Sequence, residues 1–300
     1  MKIYRDLFKK LAHQYRVSDP DSFNLKDVDP KDTGGLEGGD KDEAKKVLED
    51  AKHELRDLQN VLYADDKWSV LLIFQAMDAA GKDSTIEHVM TGINPQGCQV
   101  SSFGVPGPEE MEHDFMWRCI NKLPQRGRIG IFNRSYYEET LVVRVHPQIL
   151  EGQKLPNQFK REEIWQERFE DIRNFEKYLA RNGTLILKFF LHVSKEEQKK
   201  RLLRRLDRPE KNWKFNVNDV HERQLWYNYQ MCYEEMIKET STEYAPWFVI
   251  PADHKWFTRS VVASAVELAI ESLNLQYPRL EHHDHEKIKR GRDLLENEDD

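Results

Sequence analysis

Seven residues give the first sign of chemistry. Ala76-Met77-Asp78-Ala79-Ala80-Gly81-Lys82 is a run of mostly small residues ending in Gly-Lys. It lies between an apolar run, "SVLLIFQ" (69–75), and a helical pattern. Small residues let backbone N–H groups wrap an anion, and the following helix N-terminus adds partial positive charge. Lys82 would reach phosphate oxygens as a compact cation. Ala80, Gly81, Lys82, Asp83 and Ser84 form the expected phosphate-binding set. Ala76 stands where a first Gly is usual, and Asp83 where Ser or Thr usually follows the Lys. The alternative is a plain strand-to-helix turn with a surface lysine; the strand–loop–helix order favours the phosphate site. Asp78 is out of place in an anion cradle unless a cation intervenes. Magnesium would supply that cation and accept a hard carboxylate oxygen. Otherwise Asp78 caps the helix.

A second candidate follows another apolar run. "RIGIFN" (128–133) leads into Arg134-Ser135-Tyr136-Tyr137-Glu138-Glu139. In open parallel sheets ligands bind beyond the carboxyl ends of strands. Asn133 can offer magnesium a carbonyl oxygen without charge. Arg134 can grip a phosphoryl group in two-pronged fashion and neutralise developing charge. With equal weight, Arg134 pairs with Glu138 or Glu139. The third candidate is "KEEQKKRLLRRLDRPEKNWK" (195–214), with nine basic and four acidic residues in a chain of net charge −7. Helical spacing puts Arg201, Arg204, Arg205 and Arg208 near one face, and Pro209 stops the helix. Such a run is usually a solvated helix face. Directly after a strand, it can also be a lid that closes over phosphates.

These residues need a frame. Short apolar runs at 69–75, 98–103, 128–133, 184–193 and 246–252 predict five buried strands. Helical patterns at about 108–123, 135–145, 158–182 and 257–274 separate them. Strands alternating with helices predict an α/β fold with a parallel sheet between two helical layers. Before it, Ala44, Val47, Leu48, Ala51, Leu55, Leu58 and Leu62 keep a helical period. Residues 18–40, rich in Asp, Gly and Pro, predict an extended arm. The charged tail after residue 278 is expected to fray. Its histidines His282, His283 and His285 are expected to be solvated. The division expected is an arm (1–40), a main domain (41–278) with a lid at about 195–225, and a tail (279–300).

Composition narrows the class. Of 300 residues, 39% are hydrophobic and 33% charged. That suffices for one sizeable core. The acidic balance argues against a general nucleic-acid binder. Three separated cysteines give neither a disulfide framework nor zinc spacing. With no export or membrane-spanning pattern, cytoplasm is the expectation, without a membrane partner.

Taken in order, "MDAAGKDSTI", "FNRSYYEE" and "RLLRRLDRPEKNWKF" resemble the polyphosphate kinase 2 family, over about Leu55 to Leu275. Asn133 and "YYEE" look like the class III branch, described as acting on both AMP and ADP. The resemblance implies a three-layer P-loop kinase-like fold with a helical lid. It implies transfer of phosphoryl groups from inorganic polyphosphate to AMP and ADP, with ATP and other nucleotides as further ligands. Asp78 and Asn133 would hold Mg2+, or Mn2+ in its place. Lys82 and Arg134 would bind the reacting phosphates. Arg201, Arg205, Arg208, Lys211 and Lys214 would line the polyphosphate path, and Glu138 would lie near the acceptor nucleotide. Family members also imply a homo-oligomer, dimer or tetramer. The rival readings are an ATP-dependent nucleoside monophosphate kinase and a non-catalytic nucleotide or polyphosphate binder.

Overall fold

A computed structural model describes residues 2–213 and 215–298, apart from the side chain of His282. The chain begins with α1 (Lys2–Gln14) and then α2 (Lys41–Asp65). The alternating part is β1 (Ser69–Gln75), α3 (Lys82–Met90), β2 (Cys98–Ser102) and β3 (Ile129–Asn133). It continues with α4 (Ile164–Arg181), β4 (Thr184–His192), α5 (Lys195–Leu206), α6 (Val217–Gln224) and α7 (Trp226–Thr240). β5 (Trp247–Pro251), α8 (Lys255–Glu271) and α9 (His282–Glu296) complete it.

The five strands form one parallel sheet in the order β2-β3-β1-β4-β5. Every residue of β1 and β5 is buried, because helices cover both faces and a continuous apolar run satisfies both. α1, α2, α3 and α8 cover one face; α4 and α7 cover the other. This is the expected three-layer α/β architecture. From β1 the chain goes first towards β2 and β3, and later to β4 on the other side. That reversal leaves a crevice beyond the carboxyl ends of β1, β3 and β4, where such sheets bind ligands.

Several expectations change. Residues 108–123 form only short turns at Glu110–Glu112 and Trp117–Ile120. Pro106 and Pro108 interrupt the chain there, and Glu110 and Asp114 accept from nearby backbone N–H groups (Gly107 and Met116, both 2.8 Å), competing with helix. The 135–145 pattern is a 3-10 helix, Tyr136–Thr140, and a single helical turn, Val142–Val145. The tail, expected to fray, carries α9, largely exposed. Residues 18–40 hold two 3-10 turns and no strand. α1, in the stretch expected to be an arm, buries Phe8, Leu11 and Ala12.

Candidate active site

The loop after β1 gets its shape from two left-handed residues, Ala79 (φ 61°) and Gly81 (φ 106°). Glycine suits the second because a Cβ is disfavoured there. Ala76 is not among the residues of positive φ, so no glycine is required at that point. Gly81 is the N-cap of α3, with no side-chain cap. Asp78 is therefore not the cap. Its Oδ1 accepts from Arg134 Nη2 at 2.9 Å instead. Arg134 thus pairs with neither expected glutamate, and Glu139 lies against Arg168 (3.4 Å).

Lys82 is buried at the start of α3, and its Nζ donates to Ala76 O at 2.7 Å. Desolvation lowers its pKa, with Arg134 adding to the effect. A buried cation beside another cation favours an anion between them. Arg134 has φ 64°, and its N–H donates to Phe74 O (3.0 Å) at the end of β1. Asn133 Nδ2 donates to Asp83 Oδ1 at 2.8 Å, tying the end of β3 to the first turn of α3. Glu138 is half-buried; desolvation raises its carboxyl, opposed by Arg134 and Lys82.

The lid brings its cations over this loop, though not all alike. Arg201 is buried, and its guanidinium donates to Ala80 O (2.6 Å), Ala252 O (2.6 Å) and Asp253 O (3.0 Å). It braces the loop against the end of β5, rather than facing open space. Arg205 donates to Asp219 at 3.0 Å. Arg204, Arg208 and Lys211 are exposed. Lys214 lies outside the described residues. A cleft of about 800 Å³ joins Asp78 to Ser84, Asn133, Arg134, these lid residues, Trp213 and Lys255.

Sequence reasoning missed Lys255 and Arg259, at the start of α8. Arg259 Nη2 donates to Ser84 Oγ at 3.0 Å. Lys255 is exposed to the cleft, yet desolvation and then Arg201, Arg259, Lys211 and Arg204 lower its pKa to about 8. No local pattern marks either residue; only the fold brings α8 to the loop.

Hard oxygens for a cation are the Asp78 carboxylate and the Asn133 amide carbonyl. Among the described residues no group of three His, Cys, Asp or Glu could hold a metal alone. Magnesium does not need one, since it usually takes one or two protein carboxylates plus phosphate and water oxygens. The partly exposed Asp78 fits a magnesium arriving on phosphate. The arrangement as a whole is a basic phosphate cleft with the carboxylates of Asp78 and Asp83 at its loop.

The chain matches the family model "Polyphosphate kinase 2" over residues 38–278. It is 54% identical over 233 residues to an ADP-polyphosphate phosphotransferase of Rhodopseudomonas palustris, covering 77% of this chain and 81% of the relative. It is 48% identical over 268 residues to an AMP/ADP-polyphosphate phosphotransferase of Meiothermus ruber, covering 89% and 96%. The crystal structure of a polyphosphate kinase 2 from Arthrobacter aurescens superposes with a TM-score of 0.86 at 37% identity, covering 96% of each chain. No helix among the described residues is long and apolar enough to cross a membrane.

Proposed function

The chain belongs to the polyphosphate kinase 2 family, and from that premise we propose that it transfers phosphoryl groups from inorganic polyphosphate to AMP and ADP. The observation that carries the reading is the single cleft uniting Lys82, Arg134 and the exposed lid cations Arg204, Arg208 and Lys211. One nucleotide does not need that much positive surface; a long polyanion does.

An oxygen of the acceptor's terminal phosphate attacks the last phosphorus of the chain. A new P–O bond forms to the acceptor, the terminal anhydride P–O bond breaks, and polyphosphate one unit shorter leaves. The attacking oxygen is already ionised, so no general base is assigned. Catalysis rests on alignment and on neutralising charge. Lys82 and Arg134 face the transferring group, while Arg201 and Arg259 hold the loop still. The cations of the lid and Lys255 take the donor chain. Glu138, whose carboxyl feels the charges of Arg134 and Lys82, would lie near the acceptor nucleotide. Asp78 and Asn133 would hold Mg2+, or Mn2+, which would supply positive charge to offset that of the phosphates. A homo-oligomer and a cytoplasmic setting complete the proposal.

The test is direct. Purified protein with magnesium receives AMP or ADP, with either polyphosphate or ATP as donor, and the nucleotides are separated by chromatography. ADP and ATP should form from polyphosphate. Turnover of AMP only with ATP would identify a nucleoside monophosphate kinase; no turnover with either donor would leave a binder.

A further inference from the structure

Beneath the Asn133–Glu138 turn lies an ion pair that takes no part in the chemistry above. Lys188, in the middle of β4, donates to Glu176 Oε2 on α4 at 2.6 Å, and both side chains are fully buried. Glu176 Oε1 accepts from the hydroxyls of Tyr136 (2.9 Å) and Tyr137 (2.8 Å). Lys188 also donates to Tyr137 Oη (2.9 Å) and to Thr240 O (2.7 Å), which uses all three of its donors. Thr240 is fixed in turn by Trp247 Nε1 at 2.9 Å. The fully buried Glu267 is not so complete, because its Oε2 has no partner.

Stability alone does not account for such a pair. Desolvating two charges costs about as much as their attraction returns, and well-packed apolar residues often do as well. An apolar pair, however, could not hold two hydroxyls at fixed points. Those hydroxyls belong to the second and third residues after Arg134. Arg134 has a left-handed backbone that a non-glycine residue keeps only when its surroundings over-determine it. Upstream the constraint is the bond from its N–H to Phe74 O. Downstream, Ser135 Oγ accepts from Tyr137 N (3.2 Å), and the two tyrosines are pinned at their tips by the ion pair.

We propose that Glu176 and Lys188, acting through the hydroxyls of Tyr136 and Tyr137, are positioning residues that set the Asn133–Glu138 turn and hold Arg134 and Glu138 in register with the loop after β1. The inference rests on the phosphotransfer reading above.

The test is the double variant Tyr136→Phe, Tyr137→Phe. It keeps both rings, including the edge-on contact of Tyr137 with Trp247 (4.9 Å), and leaves Lys188 paired with Glu176. In the folded variant, well below its melting temperature, kcat should fall by about tenfold to a hundredfold, as small misplacements at a reacting centre do. KM for polyphosphate and for ADP should stay within about twofold, since the lost interaction acts mainly in the transition state. Returning Tyr137 alone should restore most of kcat, because its hydroxyl makes two of the bonds. A variant that does not fold is replaced by Glu176→Met with Lys188→Met, which removes both charges together and is read in the same way. A purely structural role would lower the melting temperature and leave kcat of the folded protein at the parental value; that result overturns the inference. The parent is assayed alongside with polyphosphate and ADP. An inactive parent overturns both readings, whereas an active parent with a fully active folded variant overturns this one alone.

Discussion

Lys82 is buried over its own loop, with Nζ on Ala76 O. An anion entering the loop would replace that carbonyl as its partner. Lys82→Ala should leave the fold intact and reduce transfer by about a hundredfold or more, the roughly 3 kcal/mol typical of a charge lost at a phosphoryl site. Near-parental turnover would remove the loop from the mechanism. Asp78→Asn should raise the magnesium concentration for half-maximal rate more than it raises KM for ADP, because it removes a charged hard oxygen offered to the cation. A magnesium titration matching the parent would leave Asp78 as a partner of Arg134 only. Lys255 gives a pH test. Its pKa is lowered to about 8, so it is charged below that pH and neutral above it. kcat/KM for polyphosphate, which reports the free enzyme, should be flat below about 8 and fall above it. Bound polyanion favours the charged form, so kcat at saturating donor should hold to higher pH. Lys255→Arg should remove the falling limb; a limb that persists assigns it to another group. The place of Asp78, Lys82 and Arg134 in one cleft was legible because local sequence puts them after strand ends. Lys255 was not, since its neighbours come from α5, the turn after it and α8 itself, and only tertiary packing raises that local potential.

At the level of elements, the strands were legible because burial on both faces demands continuous apolar runs. The segment 108–123 misled because its apolar spacing is helical while Pro106, Pro108 and two side-chain acceptors divert the backbone. The basic helix α5 was legible as charge, but not its division of labour. Arg201 points inward to carbonyls and Arg205 to Asp219, leaving Arg204, Arg208 and Lys211 exposed. Burial of Arg201, and partial burial of Arg205 four residues on, is a matter of what α5 packs against, which charge spacing does not encode. That division sharpens a prediction. Arg208→Ala with Lys211→Ala should raise KM for long polyphosphate and change KM for ADP much less. Short chains should be affected less than long ones, because they do not reach the outer cations. Added salt should weaken long-chain use more in the parent than in the variant, as exposed charges are screened within about 10 Å at 0.1 M. Equal losses at every chain length would mean that α5 and the turn after it only close over the reacting phosphate. An unchanged donor KM would return the stretch to a solvated basic helix.

Across the whole molecule, cations gather at the carboxyl end of the sheet while the chain carries a net −7. The β5 edge of the sheet is closed by the N-terminal residues, which were expected to form only an arm. α1 packs on α8, with Phe8 fully buried against Phe257 at 5.8 Å between ring centres. The chain then runs along the outer edge of β5, where Val249 N donates to Tyr15 O and Val17 N to Trp247 O, both at 2.9 Å. Arg5 and Lys9 reach the buried Glu267 on α8 at 2.5 and 3.0 Å. Tyr4, Leu7, Phe8, Leu11 and Ala12 keep a helical period, so this buried face was open to reading, although residues 1–40 were expected to form an arm. Phe8→Ala should cost about 3–5 kcal/mol, the usual range for emptying a packed aromatic site. At about 2–4 °C per kcal/mol for a domain of this order, the melting temperature should fall by roughly 6–20 °C. The cleft is built by other residues, so kcat of the folded variant should remain near the parental value. Thermal unfolding followed by circular dichroism, with kcat measured well below the transition, separates the two quantities. A melting temperature within about 2 °C of the parent would mean that α1 only lies against the domain and contributes little to its core. A large loss of kcat at an unchanged melting temperature would mean instead that α1 acts on the cleft through α8, the helix that begins with Lys255.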